Sequence, residues 1–142
     1  MIESGRATFS VRSTETAPEQ ITAVLGVEPT TVVLAGTERP SGGLYRNNQW
    51  AVDGAWSVNT KADHTGTGAL RELLVLLRPA AGKVQALPEE CDARIWWSAD
   101  SDSTQGGFVL PVDLSQAIAE FGVDVYATVY LDADGVTGTE GT

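Results

Sequence analysis

A chain of 142 residues, 42% of them hydrophobic, is long enough to bury one core without disulfides or structural metals, so one domain is expected. Nineteen Asp and Glu against nine Lys and Arg give a formal charge of −10, which excludes the basic surface that phosphate-backbone binding requires and makes a basic protein the natural partner. The single cysteine, Cys91, excludes an internal disulfide and points to a reducing, cytoplasmic setting, and no stretch approaches the roughly 20 apolar residues of a membrane span.

The first residues, MIESGRATFSV, lack the basic and apolar regions of a signal peptide. Within them residues 7–12 alternate, with Phe9 and Val11 on one face and Thr8, Ser10 and Arg12 on the other, the period of a half-buried strand. STETAPEQITAVLGVEP predicts a helix: Pro18 suits the first turn, Thr16 and Glu19 have the spacing of a capping box, Ile21, Val24 and Leu25 form the stripe, and Gly26 ends it. A strand is expected around Thr31–Ala35, then a Gly-, Pro- and Asn-rich loop over residues 36–48. QWAVDGAWSVNT reads as a strand broken at Asp53–Gly54, with Trp50 and Val52 on one face, and Trp56 and Val58 likewise.

KADHTGTG is a loop. ALRELLVLLRP places Leu70, Leu73, Leu74 and Leu77 on one side of a helix that Pro79 ends. A short helical turn and connection lead to a strand expected over residues 93–98, within ARIWWSAD. Neighbouring strand side chains point to opposite faces, so Ile95 and Trp97 turn inward while Arg94, Trp96 and Ser98 turn outward. After a polar turn, FVLPV (residues 108–112) predicts a short strand. Asp113 and Gln116 predict a capped helix carrying Leu114, Ile118 and Phe121 inward as far as Gly122. VDVYATVYL is the clearest strand, with Val123, Val125, Ala127, Val129 and Leu131 inward and Asp124, Tyr126, Thr128 and Tyr130 outward. Residues 132–142, DADGVTGTEGT, read as an acidic flexible tail that follows a domain over residues 1–131.

The expected order is β-α-β-β-α-β-β-α-β. Its first six elements follow the ferredoxin-like order, and the class is α+β, a mainly antiparallel sheet with helices on one face. The residues that carry this order resemble a known family. A strand opening FSV, the helix APEQITAVLGVEPT, the pair Gly36–Thr37 after a strand, GAWSVNT, the leucine-rich helix and DLSQAIAEFGVDVYATVYLD together resemble the DUF4279 domains, a family of unknown function found mainly in bacteria. The resemblance spans roughly residues 7–131 and rests most on Pro18–Gly26 and Trp56–Ser57. It implies a compact α+β domain, and it transfers no catalytic residue.

Chemistry-bearing motifs are sparse. His64 is the only histidine and stands in a loop; one His and one Cys cannot make a zinc site without several carboxylates. Cys91 follows Glu89 and Glu90, whose charge raises a thiol pKa and blunts nucleophilicity. Asp132, Asp134, Gly135 and Glu140 form only a fragment of a calcium loop, and so do Asp100 and Asp102. Gly42–Gly43 and Gly106–Gly107 open no phosphate loop, and no nucleophile elbow occurs. No cofactor or metal is expected.

Three functional readings follow. The preferred one is non-catalytic: a protein-binding domain whose open sheet face carries Arg94, Trp96, Tyr126 and Tyr130 and engages a basic partner, an immunity-type role suiting the charge. The second is a small-ligand or unrecognised hydrolytic pocket near the 36–50 loop, lined by Tyr45, Arg46, Trp50 and Asp53. The third is a structural module that associates with its own copy.

Overall fold

In β1 (Ile2–Ser13) the alternation of ATFSVR turns Ala7, Phe9 and Val11 into the core and leaves Thr8, Ser10 and Arg12 on the opposite face. The computed structural model describes residues 2–54, 57–58, 66–102, 107 and 109–131. The further elements are α1 (Pro18–Leu25), β2 (Thr31–Val33), β3 (Asn48–Asp53), β4 (Ser57–Val58), α2 (Thr67–Leu76), β5 (Asp92–Ser101), α3 (Val112–Phe121) and β6 (Asp124–Leu131), with two short 3-10 turns after α2. The sheet order is β2-β3-β1-β5-β6, and β4 pairs with the start of β1. All pairings are antiparallel except β5 with β6, a parallel pair whose crossover is α3. The chain is therefore α+β with a mainly antiparallel open sheet. The ferredoxin-like succession is not reproduced element for element, because β4 stands between β3 and α2.

One face of the sheet is covered. Ile21 and Leu25 from α1, Leu70 and Leu73 from α2 and Leu114, Ile118 and Phe121 from α3 pack on Phe9, Val11, Trp50, Val52, Ile95 and Trp97. Phe9 is the centre: its ring meets Trp50 edge-on at 5.9 Å and Phe121 at 5.2 Å. Each buried indole has its N–H satisfied, Trp50 Nε1 donating to Thr22 Oγ1 at 3.0 Å and Trp97 Nε1 to the Gly66 carbonyl at 2.9 Å.

Local details differ from the sequence expectation. Helix α1 begins one residue later than a Thr16 cap requires. Ala17 is the N-cap and its N–H donates to Gln20 Oε1 at 3.1 Å, so Gln20 rather than Glu19 closes the turn. FVLPV does not supply a strand: residues 109–111 are irregular, Phe108 lies outside the described residues, and Val112 already begins α3. Pro111 explains the change, since it lacks the N–H a ladder needs and stands at the helix N-cap. Asp113 is then inside the first turn, where it forms an ion pair with Arg71 at 2.7 Å instead of capping. Strand β2 stops at Val33 rather than Ala35, whose N–H is taken by Asn48 Oδ1 at 2.9 Å. The break at Gly54 is real. Its N–H donates to the Ala7 carbonyl at 2.9 Å, and a Cβ there would lie 2.8 Å from that oxygen. Along β6 only Val125 joins the core; Ala127, Val129 and Leu131 are exposed, because the strand is the sheet edge and the helical layer ends short of it.

Thr16 is buried for a different purpose. Its hydroxyl donates to Glu90, which also accepts the N–H groups of Thr14 at 3.0 Å and Glu15 at 3.2 Å. These bonds, the Thr16 hydroxyl first, lower the Glu90 pKa from 4.5 to about 2. A carboxylate depressed in the folded state stabilises it above the unfolded pKa and loses that contribution as pH falls through the folded one. Glu90→Gln is expected to lower the urea midpoint near neutral pH, and the gap from the parent chain to close between pH 4.5 and about 2. A gap constant across that window would show that the ionised carboxylate is not what ties the 88–91 turn to the start of α1.

Candidate functional site

The uncovered face carries the candidate site. The registers of four strands align Asp53 (β3), Thr8 (β1), Trp96 (β5) and Tyr126 (β6) in one row across the sheet. The next rows toward the start of β1 place Arg6, Ser98 and Thr128 together, then Ser4, Asp100 and Tyr130. Alternation in β5 divides its two tryptophans as expected: Trp97 is 3% exposed and Trp96 is 38% exposed.

Trp96 and Tyr126 are cross-strand neighbours with ring centroids 5.1 Å apart. The Arg94 guanidinium lies 4.4 Å from the centre of the Tyr126 ring and 5.4 Å from that of Trp96, and it is ion-paired with Asp92. The indole N–H of Trp96 donates to Ser10 Oγ at 3.0 Å. Arg94, Trp96 and Tyr126 are therefore one contiguous cluster. Tyr130 stands two rows further along β6, on the same face and 56% exposed.

Beside this aromatic wall lies an open groove of about 540 Å³, its floor made by Thr8, Ser98 and Thr128 and its far side by Asp53 and Gly54. Asp53 is preorganised. Its Oδ2 accepts from Thr30 Oγ1 at 2.7 Å and Thr31 Oγ1 at 2.9 Å, and its Oδ1 from Thr8 Oγ1 at 3.0 Å. These hydroxyls, Thr30 above all, together with the charge of Arg6, hold the carboxyl below its usual range despite some desolvation. Asp53 is thus a fixed anion near neutral pH and a weak proton acceptor.

Tyr45, Arg46, Trp50 and Asp53 do not come together. Positions 50 and 53 differ by an odd number, so the Trp50 indole is in the core while the Asp53 carboxylate points to the opposite face. Tyr45 is in the connecting loop under the Arg39 guanidinium, 5.6 Å from its ring, and Arg46 is exposed. Arg6, Thr8, Ser98 and Thr128 were not singled out by sequence reasoning. Alternation places each on the outer face of its strand, but only the strand order reveals that they adjoin.

Elsewhere, burial pushes the Cys91 thiol up, and the neighbouring Glu90 charge adds to it. Among the described residues no three His, Cys, Asp or Glu side chains converge as a metal site would require. None of the described helices is long and apolar enough to cross a membrane. His64, Trp56 and residues 132–142 lie outside the described residues.

The fold and face define a class: an α+β domain with a one-sided sheet, its helices packed on one surface and its aromatic groove on the other. The sequence matches the family model described as Domain of unknown function (DUF4279) over residues 3–132, and the chain belongs to that family. No curated protein and no solved structure matches the chain significantly.

Proposed function

We propose that this chain is a non-catalytic protein-binding domain that engages a basic partner across its open sheet face, in an immunity-type role. The row Asp53–Thr8–Trp96–Tyr126 carries the reading, because it sets a fixed carboxylate opposite an exposed aromatic wall on one rigid surface. Trp, Tyr and Arg are the side chains that dominate binding energy at protein interfaces. In this reading a cationic side chain of the partner enters the groove beside Arg6, its head toward Asp53 and its stem along Trp96. The net charge of −10 would steer such a partner into contact. Asp53 and Cys91 both have pKa values displaced away from neutrality, which suits neither to proton transfer or nucleophilic attack near pH 7.

Affinity capture from the native host, run with the parent chain and Trp96→Ala side by side, tests this. A basic protein retained at about 0.05 M salt and released toward 1 M is expected, since screening lengths shrink to about 3 Å there. Trp96→Ala should reduce retention by about tenfold or more, the usual loss at an aromatic hot spot. Equal retention by both chains would remove the open face from the interface, and retention indifferent to salt would overturn a basic partner held by charge.

A further inference from the structure

The two edges of the sheet are built differently. β2 is three residues long, and brevity is one way natural sheets keep an edge from pairing with foreign strands. β6 is eight residues, DVYATVYL, in continuous register with β5 from Asp124 to Leu131. It contains no proline, lysine, arginine or bulge, and among the described residues no strand pairs with its far side. Both of its faces are exposed: Tyr126 and Tyr130 on the groove side, Val129 at 39% and Leu131 at 44% on the helix side. Such a strand is a template with its backbone donors and acceptors aligned along one line.

Charge selects the occupant. All nine Lys and Arg lie in residues 1–94, together with eleven Asp and Glu, so that stretch is nearly balanced. Residues 95–142 contain eight Asp and Glu and no Lys, Arg or His. Asp124 opens β6 level with Arg94, whose charge is already paired with Asp92; Asp100 is level with Tyr130 on the neighbouring strand, and Glu120 is exposed on α3 just before it. A second copy laid on this edge would set acid against acid, whereas a strand with basic ends meets opposite charge.

We propose that the free edge of β6 receives an extended segment of a basic protein as an additional strand, with an apolar or threonine-rich middle and Lys or Arg at its ends. Main-chain hydrogen bonds would supply affinity and the flanking acids selectivity. This rests on the reading of a basic partner and adds where and in what conformation that partner binds.

The test uses the full chain and a synthetic peptide of roughly eight residues, alternating Thr and Val between terminal Arg residues, a length matched to β6. Hydrogen–deuterium exchange followed by NMR is expected to show alternate β6 amides protected by this peptide at low salt. Replacing its Arg by Glu, or N-methylating alternate backbone nitrogens, should weaken binding about tenfold or more. Val129→Lys adds a cation on the side away from the groove and should abolish peptide protection, whereas Trp96→Ala should leave it. Absence of β6 protection in the parent chain overturns the proposal, as does equal binding of the N-methylated peptide. So does a dimer of the chain alone whose β6 amides are protected. If host capture is lost with Trp96→Ala and kept with Val129→Lys, the open-face reading stands and the edge proposal falls; the reverse pattern separates them the other way.

Discussion

Trp97→Ala is expected to lower folding stability by about 3–5 kcal/mol, while Trp96→Ala, one residue away, lowers it by about 1 kcal/mol. Trp97 is 3% exposed, packs with the helical layer, and gives its indole N–H to the Gly66 carbonyl at 2.9 Å just before α2. Truncation removes the buried ring, leaves a cavity and orphans that carbonyl. Truncating Trp96 instead loses a tilted ring contact with Tyr126, the Arg94 guanidinium and a bond to the half-buried Ser10 hydroxyl. Domains of this kind are stable by only about 5–15 kcal/mol, so the first change consumes much of the margin and the second little of it. Urea unfolding of both variants checks this, provided the slopes agree with the parent chain. Trp97→Phe keeps most of the volume but not the N–H, and should fall between, at about 1–2 kcal/mol. Equal losses for Trp96→Ala and Trp97→Ala would mean that the open face is covered after all, and would count against binding there.

The division of those two tryptophans was legible because strand alternation is local: it needs only the identity of one strand. The same holds for Leu70 and Leu73 on α2 and Leu77 at its C-cap, for Leu114, Ile118 and Phe121 on α3, and for the stops at Gly26 and Gly122, both left-handed at φ 73° and 83°. What was not legible depends on pairing. Whether β5 lies between β1 and β6 decides that Arg6, Thr8, Ser98 and Thr128 share one groove, and no local pattern encodes that order. Val129 and Leu131 alternate as inward residues but stand beyond the last helix, so the period was right and the burial was not. FVLPV failed for a local reason that was available: a proline near its end serves a helix start better than a ladder. The same is true of Asp53 and Trp50, whose odd spacing already separates them across β3.

Trp50→Ala is the second large effect expected, again about 3–5 kcal/mol, and it concerns the opposite side of that strand. The indole is fully buried, meets the edge of Phe9, and donates to Thr22 Oγ1 on α1. It therefore ties β3 to both the central strand β1 and the first helix. Trp50→Phe should retain the ring contact and lose only the hydrogen bond, about 1 kcal/mol. The decisive measurement is a double-mutant cycle with Thr22→Val. If the bond holds α1 on the sheet, the two single losses will overlap, with a coupling of about 0.5 kcal/mol or more, because either change alone already breaks it. Additive losses would show that apolar packing alone seats the helix. Partner retention is a second readout. Trp50→Phe should leave it unchanged, since the indole faces away from Asp53 and the groove; a selective loss of binding without a loss of stability would instead place the partner on the helical side of β3.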